Sequence, residues 1–291
     1  MTMLWQKKWH KVMATALLGA VMIGGAALLG GCGSDTKTAS ASTSSQQQVL
    51  KVGTNPTYMP FEFMKEGGAQ NYQGFDIDLA NEIGKRLNMK VEIKSIPFDG
   101  LIPAIQTGEI NMIASGMVIT PEREQKINFI PYYNSGLGIL VAKNINDVKT
   151  IADLKGKRVA VQMGTTGSVA AHKIEGVGKI SEYDHNSDAL LELQKGGADA
   201  VLTAIPVAKY YLKTTPDSNA KLVAEPISKQ IMGFGFSKDN KDLYDKVQKA
   251  LEEIFAKSKI TKDEFFDYFL LKRLNLFNHH VGTGQQLLTQ E

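Results

Sequence analysis

Between residues 49 and 254, short apolar runs alternate with helix-patterned segments, and this alternation constrains the fold more than any other feature. Strand and helix in succession build α/β architecture with mainly parallel sheets. Residues 49–54 read as a strand entering a Pro-containing loop. Leu79, Ile83 and Leu87 recur at i, i+4 and i+8, one face of a helix. Residues 90–96 alternate polar and apolar, as a strand with one wet face does. A helix at 101–106 closes at Gly108, a strand follows at 110–115, and Thr120-Pro121-Glu122 reads as a helix start. Thr120 can cap there, Pro121 gives up no needed N–H, and Glu122 and Glu124 suit the positive end of the dipole. A second α/β unit opens with a strand at 157–162, runs through Gly164-Thr165-Thr166-Gly167-Ser168 into a helix, and includes a buried strand at 199–203.

The first 48 residues have a different character. A basic stretch with Lys7, Lys8 and Lys11 precedes an apolar run ending in Leu29-Gly30-Gly31-Cys32. That is the layout of a signal peptide with a lipobox, and Cys32 is the chain's single cysteine. The Ser/Thr/Gln-rich residues after it bury little apolar surface and suit a flexible tether. Residues 1–31 are therefore expected to be a lipoprotein signal peptide and 32–48 the lipidated cysteine with its tether, holding the rest outside the cytoplasm on the cell membrane. An uncleaved transmembrane helix is the competing reading of the apolar run. With no second cysteine, the exported part depends on core packing rather than a disulfide. The net charge is +3 and the leader holds three lysines and no acid, so the remainder is near neutral. Nucleic acid is an unsuitable partner for such a surface.

Several residues able to bind an anion fall at strand ends, where α/β sheets place ligands. Arg123 lies in the first turn of a helix after a loop holding Ser115, Gly116 and Thr120, and its guanidinium could grip a carboxylate in a two-pronged hydrogen bond. An ordinary surface ion pair with Glu122 or Glu124 fits the spacing equally. The 164–168 segment offers N–H groups and hydroxyls at a helix start, without the lysine and spacing of a P-loop, and could also be a plain turn. Tyr58, Phe61 and Phe98 follow strands, where flat rings line a slot or fill a core. His279-His280 has no spaced third ligand, so neither a metal nor a cofactor is expected.

Six ordered motifs carry a resemblance: VGTNPTYMPFEF at 52–63, GFDIDL at 74–79, FDGLIPAIQTG at 98–108, ITPER at 119–123, QMGTTGS at 162–168 and GADAV at 197–201. Together they resemble the extracytoplasmic solute-binding proteins, family 3, of ABC importers for polar amino acids. The resemblance implies a two-lobed periplasmic-binding-protein clamp, each lobe a mainly parallel sheet with flanking helices. The larger lobe would hold 49–141 and 234–281, the smaller 142–233, with a two-strand hinge near Val141-Ala142 and Gly233-Phe234 and a disordered tail at 282–291. It further implies a monomer that captures a small carboxylate-bearing solute, by default an amino acid, and hands it to the importer's permease. Arg123 would hold the carboxylate, and Tyr58, Phe98, Ser115, Gly116, Thr165 and Thr166 would line the pocket.

Three pocket positions depart from the family pattern. Ala204 stands where the family usually has an aspartate for the ligand ammonium, Val118 replaces a hydroxyl residue, and Asn55 stands where an acid is frequent. Either the solute lacks a free ammonium, as a non-amino-acid carboxylate or N-modified amino acid does, or another acid such as Asp99 or Glu62 pairs it. Amino acids are then expected to bind weakly or with relaxed specificity. The residues after Ile254 also differ from the usual aromatic final helix. An enzyme is not expected: no Ser–His–acid order, metal motif or paired carboxylates can be named, although a few relatives of the fold are dehydratases.

Overall fold

The structure is a computed structural model that describes residues 47–65, 70–223 and 227–258. The leader, Cys32, the tether, His279-His280 and the tail lie outside the described residues.

The first part of the chain forms β1 (Val49–Thr54), β2 (Thr57–Tyr58), β3 (Glu62–Met64), β4 (Tyr72–Gln73), α1 (Phe75–Arg86) and β5 (Lys90–Ser95). A 3-10 turn (Phe98–Gly100), α2 (Leu101–Gln106), β6 (Met112–Ile113), α3 (Pro121–Glu124) and the long β7 (Asn128–Ala142) follow. After a 3-10 turn (Ile151–Leu154) come β8 (Arg158–Gln162), α4 (Thr166–His172), β9 (Lys179–Tyr183), α5 (Asn186–Gln194), β10 (Ala200–Ala204), α6 (Ile205–Thr214) and β11 (Ala220–Leu222). The chain returns through β12 (Ser228–Phe236) into α7 (Lys241–Ser258).

Nine strands share one hydrogen-bonded sheet in the order β5-β1-β6-β12-β7-β10-β8-β9, with β11 paired to β7. At one end β5, β1 and β6 are parallel, and at the other β10, β8 and β9 are parallel. Antiparallel β7 and β12 join the two ends. The strands β2, β3 and β4 form a separate small sheet that packs against α1.

Among the described residues, apolar side chains gather in four clusters, two toward each end of the sheet, and the larger at each end is its main core. Leu50, Phe75, Ile83, Tyr132 and Phe234 pack around the first end, and Leu137, Val141, Val159, Val161 and Leu202 pack around the second. Helix α7 returns to the first core with Leu243, Val247, Leu251 and Ile254 at helical spacing. Its Glu253 meets Arg86 of α1 at 3.4 Å.

The passage between the cores differs in place from the expected one. Leu137 to Val141 pair with β10 and lie in the second core, while Asn128 to Ile130 pair with the Phe234 end of β12. Strand β7 therefore crosses within 131–136, before Val141-Ala142, and β12 crosses up to the register shift between Met232 and Gly233. The expected strand at 110–115 is shortened to Met112–Ile113 for a related reason. It pairs with β1 only at Val52 and Gly53, after which Gly116 turns with φ +55°.

Candidate functional site

The residues between the two cores are placed by strand ends and helix starts. Thr120 caps α3 by accepting the N–H of Arg123 at 3.3 Å, which sets the arginine in the first turn beside the Ser115-Gly116 loop. The Arg123 guanidinium bonds the Val118 carbonyl of its own half and, at 2.9 Å, the Gly164 carbonyl of the other. Its Cζ stands 5.4 Å from the centre of the Phe98 ring, a cation–π distance. Burial lowers its pKa to about 10, which leaves it charged at neutral pH. Among the described residues no ion pair engages Arg123, so the surface pairing with Glu122 or Glu124 is not formed.

Tyr58, Phe98, Ser115, Gly116, Val118 and Arg123 line one cavity from the first half, and Gln162, Thr165 and Thr166 close it from the second. A cavity beside it shares Tyr58, Gln162, Thr165 and Thr166, and is bounded by Asn186, Leu202, Thr203, Ala204 and Gln230. Each cavity is small as the halves stand, about 20 Å³, room for little more than a water molecule. The Tyr58 hydroxyl accepts the Ala204 N–H at 3.2 Å, and burial pushes its pKa up to about 12. Tyr58 also presses on Gly116: a Cβ there would stand 3.0 Å from the tyrosine ring.

The expected site residues do not share one role. Phe61 is fully buried in the first core, stacked behind Tyr58 at 6.0 Å, and lines neither cavity. Asn55 also lies off both cavities, because its side chain is occupied elsewhere. Its Oδ1 accepts from Gln162 at 3.1 Å and from Thr57 at 2.8 Å, and its Nδ2 lies 3.3 Å from the Ile96 carbonyl and 3.4 Å from the His185 ring. The Thr165 hydroxyl donates to the Gln162 carbonyl and caps α4 through the Ser168 N–H. The cradle at 164–168 is thus partly filled by its own cap, while Thr166 Oγ1 accepts from Gln230 of β12 at 2.9 Å.

Gln162, Asn186 and Gln230 were not singled out from the sequence. Gln162 opens the QMGTTGS motif, which could have marked it. Asn186 and Gln230 reach the cleft from a helix start and a crossing strand, and no local pattern announces that.

The floor of the cleft rests on two buried acids. Glu62 Oε1 accepts the Ser115 hydroxyl at 3.1 Å, and Asp76 Oδ2 accepts the Gly116 N–H and the Tyr132 hydroxyl, each at 2.8 Å. Burial, reinforced by Asp76, raises Glu62 well above the usual carboxylate range, and burial lifts Asp76 to about 7. Among the described residues no group of three or more metal-ligating side chains occurs, and no helix is long and apolar enough to cross a membrane.

An α/β sheet divided between two cores, crossed by two strands and holding an arginine in the cleft, is the architecture of a periplasmic-binding-protein clamp. The chain belongs to the bacterial extracellular solute-binding proteins, family 3, whose profile matches residues 50–266. A probable histidine-binding protein of Campylobacter jejuni is 36% identical over 77% of this chain and 84% of its own length. An ancestral arginine-binding protein bound to arginine superposes with a TM-score of 0.70 at 41% identity, covering 76% of this chain and 98% of that one. An ancestral amino-acid-binding protein, a precursor of cyclohexadienyl dehydratase, superposes at 0.68 with 39% identity, covering 76% and 94%.

Proposed function

We propose that the chain captures a small carboxylate-bearing solute of the amino-acid class between two lobes and delivers it to the permease of an ABC importer. The observation that carries this reading is the Arg123 guanidinium. It is charged, lies between the two cores over Phe98, and is held by two main-chain carbonyls rather than by an acid. A carboxylate entering the cleft offers the arginine a charged, two-pronged partner in place of neutral acceptors. The histidine- and arginine-binding relatives point the same way.

The lobes would be the two core-bearing halves. The hinge would lie at the β7 and β12 crossings, so that ligand contacts from both sides favour the closed form. Delivery by a monomer tethered through lipid on Cys32 fits the leader, which places the clamp outside the cytoplasm. The likeness to a dehydratase precursor keeps an enzyme as the second reading. What favours binding over catalysis is the lining: among the described residues Arg123 is the one charged side chain on either cavity, and no Asp, Glu, His, Lys or Cys lines them with it.

Mass spectrometry of small molecules released by denaturing the freshly purified whole chain tests the proposal. A carboxylate recovered in stoichiometric amount, and unaltered after incubation with fresh protein, is the expected result. A non-acidic solute, or turnover of the recovered one, would contradict it.

A further inference from the structure

Charge and hydrogen-bonding capacity are unevenly spread over the cleft. Among the described residues no Asp or Glu lines either cavity, so a ligand enclosed beside the arginine meets no fixed negative charge there. The acids close by do not supply one. Glu62 and Asp76 lie behind the floor, bonded to Ser115 and Gly116, and burial favours the neutral form of both. Asp99 approaches Gly164 without lining either cavity, and Glu122 and Glu124 are exposed on α3, where Glu124 lines an open groove next to the cavities rather than either cavity. An ammonium enclosed here would give up its water with no anion to replace it, which is strongly disfavoured.

The end of the cleft away from Arg123 instead offers a donor. Asn186 is 2% exposed, lines the cavity there, and gives its Oδ1 to the Thr203 hydroxyl at 3.1 Å. Among the described residues its Nδ2 has no partner. Buried amide donors are nearly always satisfied, so this one calls for an acceptor. Ala204 lines the same cavity with nothing but a methyl group.

We infer that the cleft selects carboxylates whose second polar group is an uncharged hydrogen-bond acceptor, as in an N-acylated amino acid or its 2-oxo or 2-hydroxy analogue, rather than an ammonium. Arg123 takes the carboxylate and Asn186 donates to the acceptor. This deepens the proposed function and rests on carboxylate capture at Arg123.

Calorimetric titration of the whole chain with matched sets tests it: glutamine, N-acetylglutamine and the 2-oxo analogue, and the same trio built on histidine. The uncharged-nitrogen or deaminated member is expected to bind at least tenfold more tightly than the free amino acid, a preference that Asn186→Leu removes. Ala204→Asp, or the near-isosteric Asn186→Asp should the first fail to fold, is expected to shift the preference at least tenfold toward the free amino acid. Equal or tighter binding of the free amino acid by the unmodified protein overturns the inference and leaves carboxylate capture standing. No binding by any member of either set overturns the Arg123 site together with it.

Discussion

Arg123 Nη2 donates to the carbonyl oxygen of Gly164 at 2.9 Å, and this bond joins the two halves of the molecule through the side chain that faces the cleft. In the proposed function one cation would serve closure and capture together. Gly164 comes that close because it has φ +73° and no side chain: a Cβ would stand 2.9 Å from the Cβ of Asp99.

Gly164→Ala is accordingly expected to weaken ligand binding more than it weakens the fold. The left-handed backbone costs a non-glycine residue about 1 kcal/mol, and the clash with Asp99 arises only when the halves meet. Calorimetry should show a loss of tenfold or more in affinity, with small-angle scattering showing a more open molecule. Wild-type affinity would show that this approach is not required for capture.

A second latch runs through Asn55, which accepts from Gln162 and lies within reach of His185. Removing a side chain that bonds across two elements costs about 1–2 kcal/mol for the bonds lost. Asn55→Ala should shift the unliganded protein toward the open form, seen as a larger radius of gyration, and raise the dissociation constant about tenfold. An unchanged radius and affinity would make Asn55 a packing residue only.

The acids under the floor give the protein a pH dependence of definite sign. Asp76 moves from 3.8 to about 7 on folding, and Glu62 shifts the same way. Their protonated forms stabilise the fold fully below the unfolded pKa, and that stability is lost as pH rises through about 7. The shift of Asp76 corresponds to about 4 kcal/mol at most. Melting temperature should fall between pH 5 and 8, and Asp76→Asn should flatten the fall while Gly116 and Tyr132 keep an oxygen acceptor. A profile equally steep in the variant would place the titration elsewhere.

What was legible in the sequence was local. The cap at Thr120, the strand at 49–54 and the helical spacing of Leu79 and Ile83 depend on neighbours within a few residues, and all appear as read. Arg123 with Tyr58, Phe98 and Thr166 could be gathered because ordered motifs carried them. Asn186 and Gln230 could not, since each becomes a cleft residue only through the crossing of distant strands. Where β7 passes from one core to the other is not written locally, because the residues from Leu137 to Ala142 are apolar and extended whichever core they serve. Their partners in β10 decide the matter. Asn55 enters the expected pocket only through the resemblance, at a position where the family often has an acid, and its side chain is bonded to partners as distant as Ile96 and Gln162, which its own neighbours in sequence do not announce.

Carboxylate capture at Arg123 is tested most directly by the affinity of Arg123→Ala for the solute recovered from the native protein, measured by calorimetry beside the melting temperature of the unliganded form. A loss of at least a hundredfold, about 2.7 kcal/mol, with a melting temperature within about 2 °C of wild type, is the predicted result. Affinity within threefold of wild type would contradict it and move the site away from the arginine.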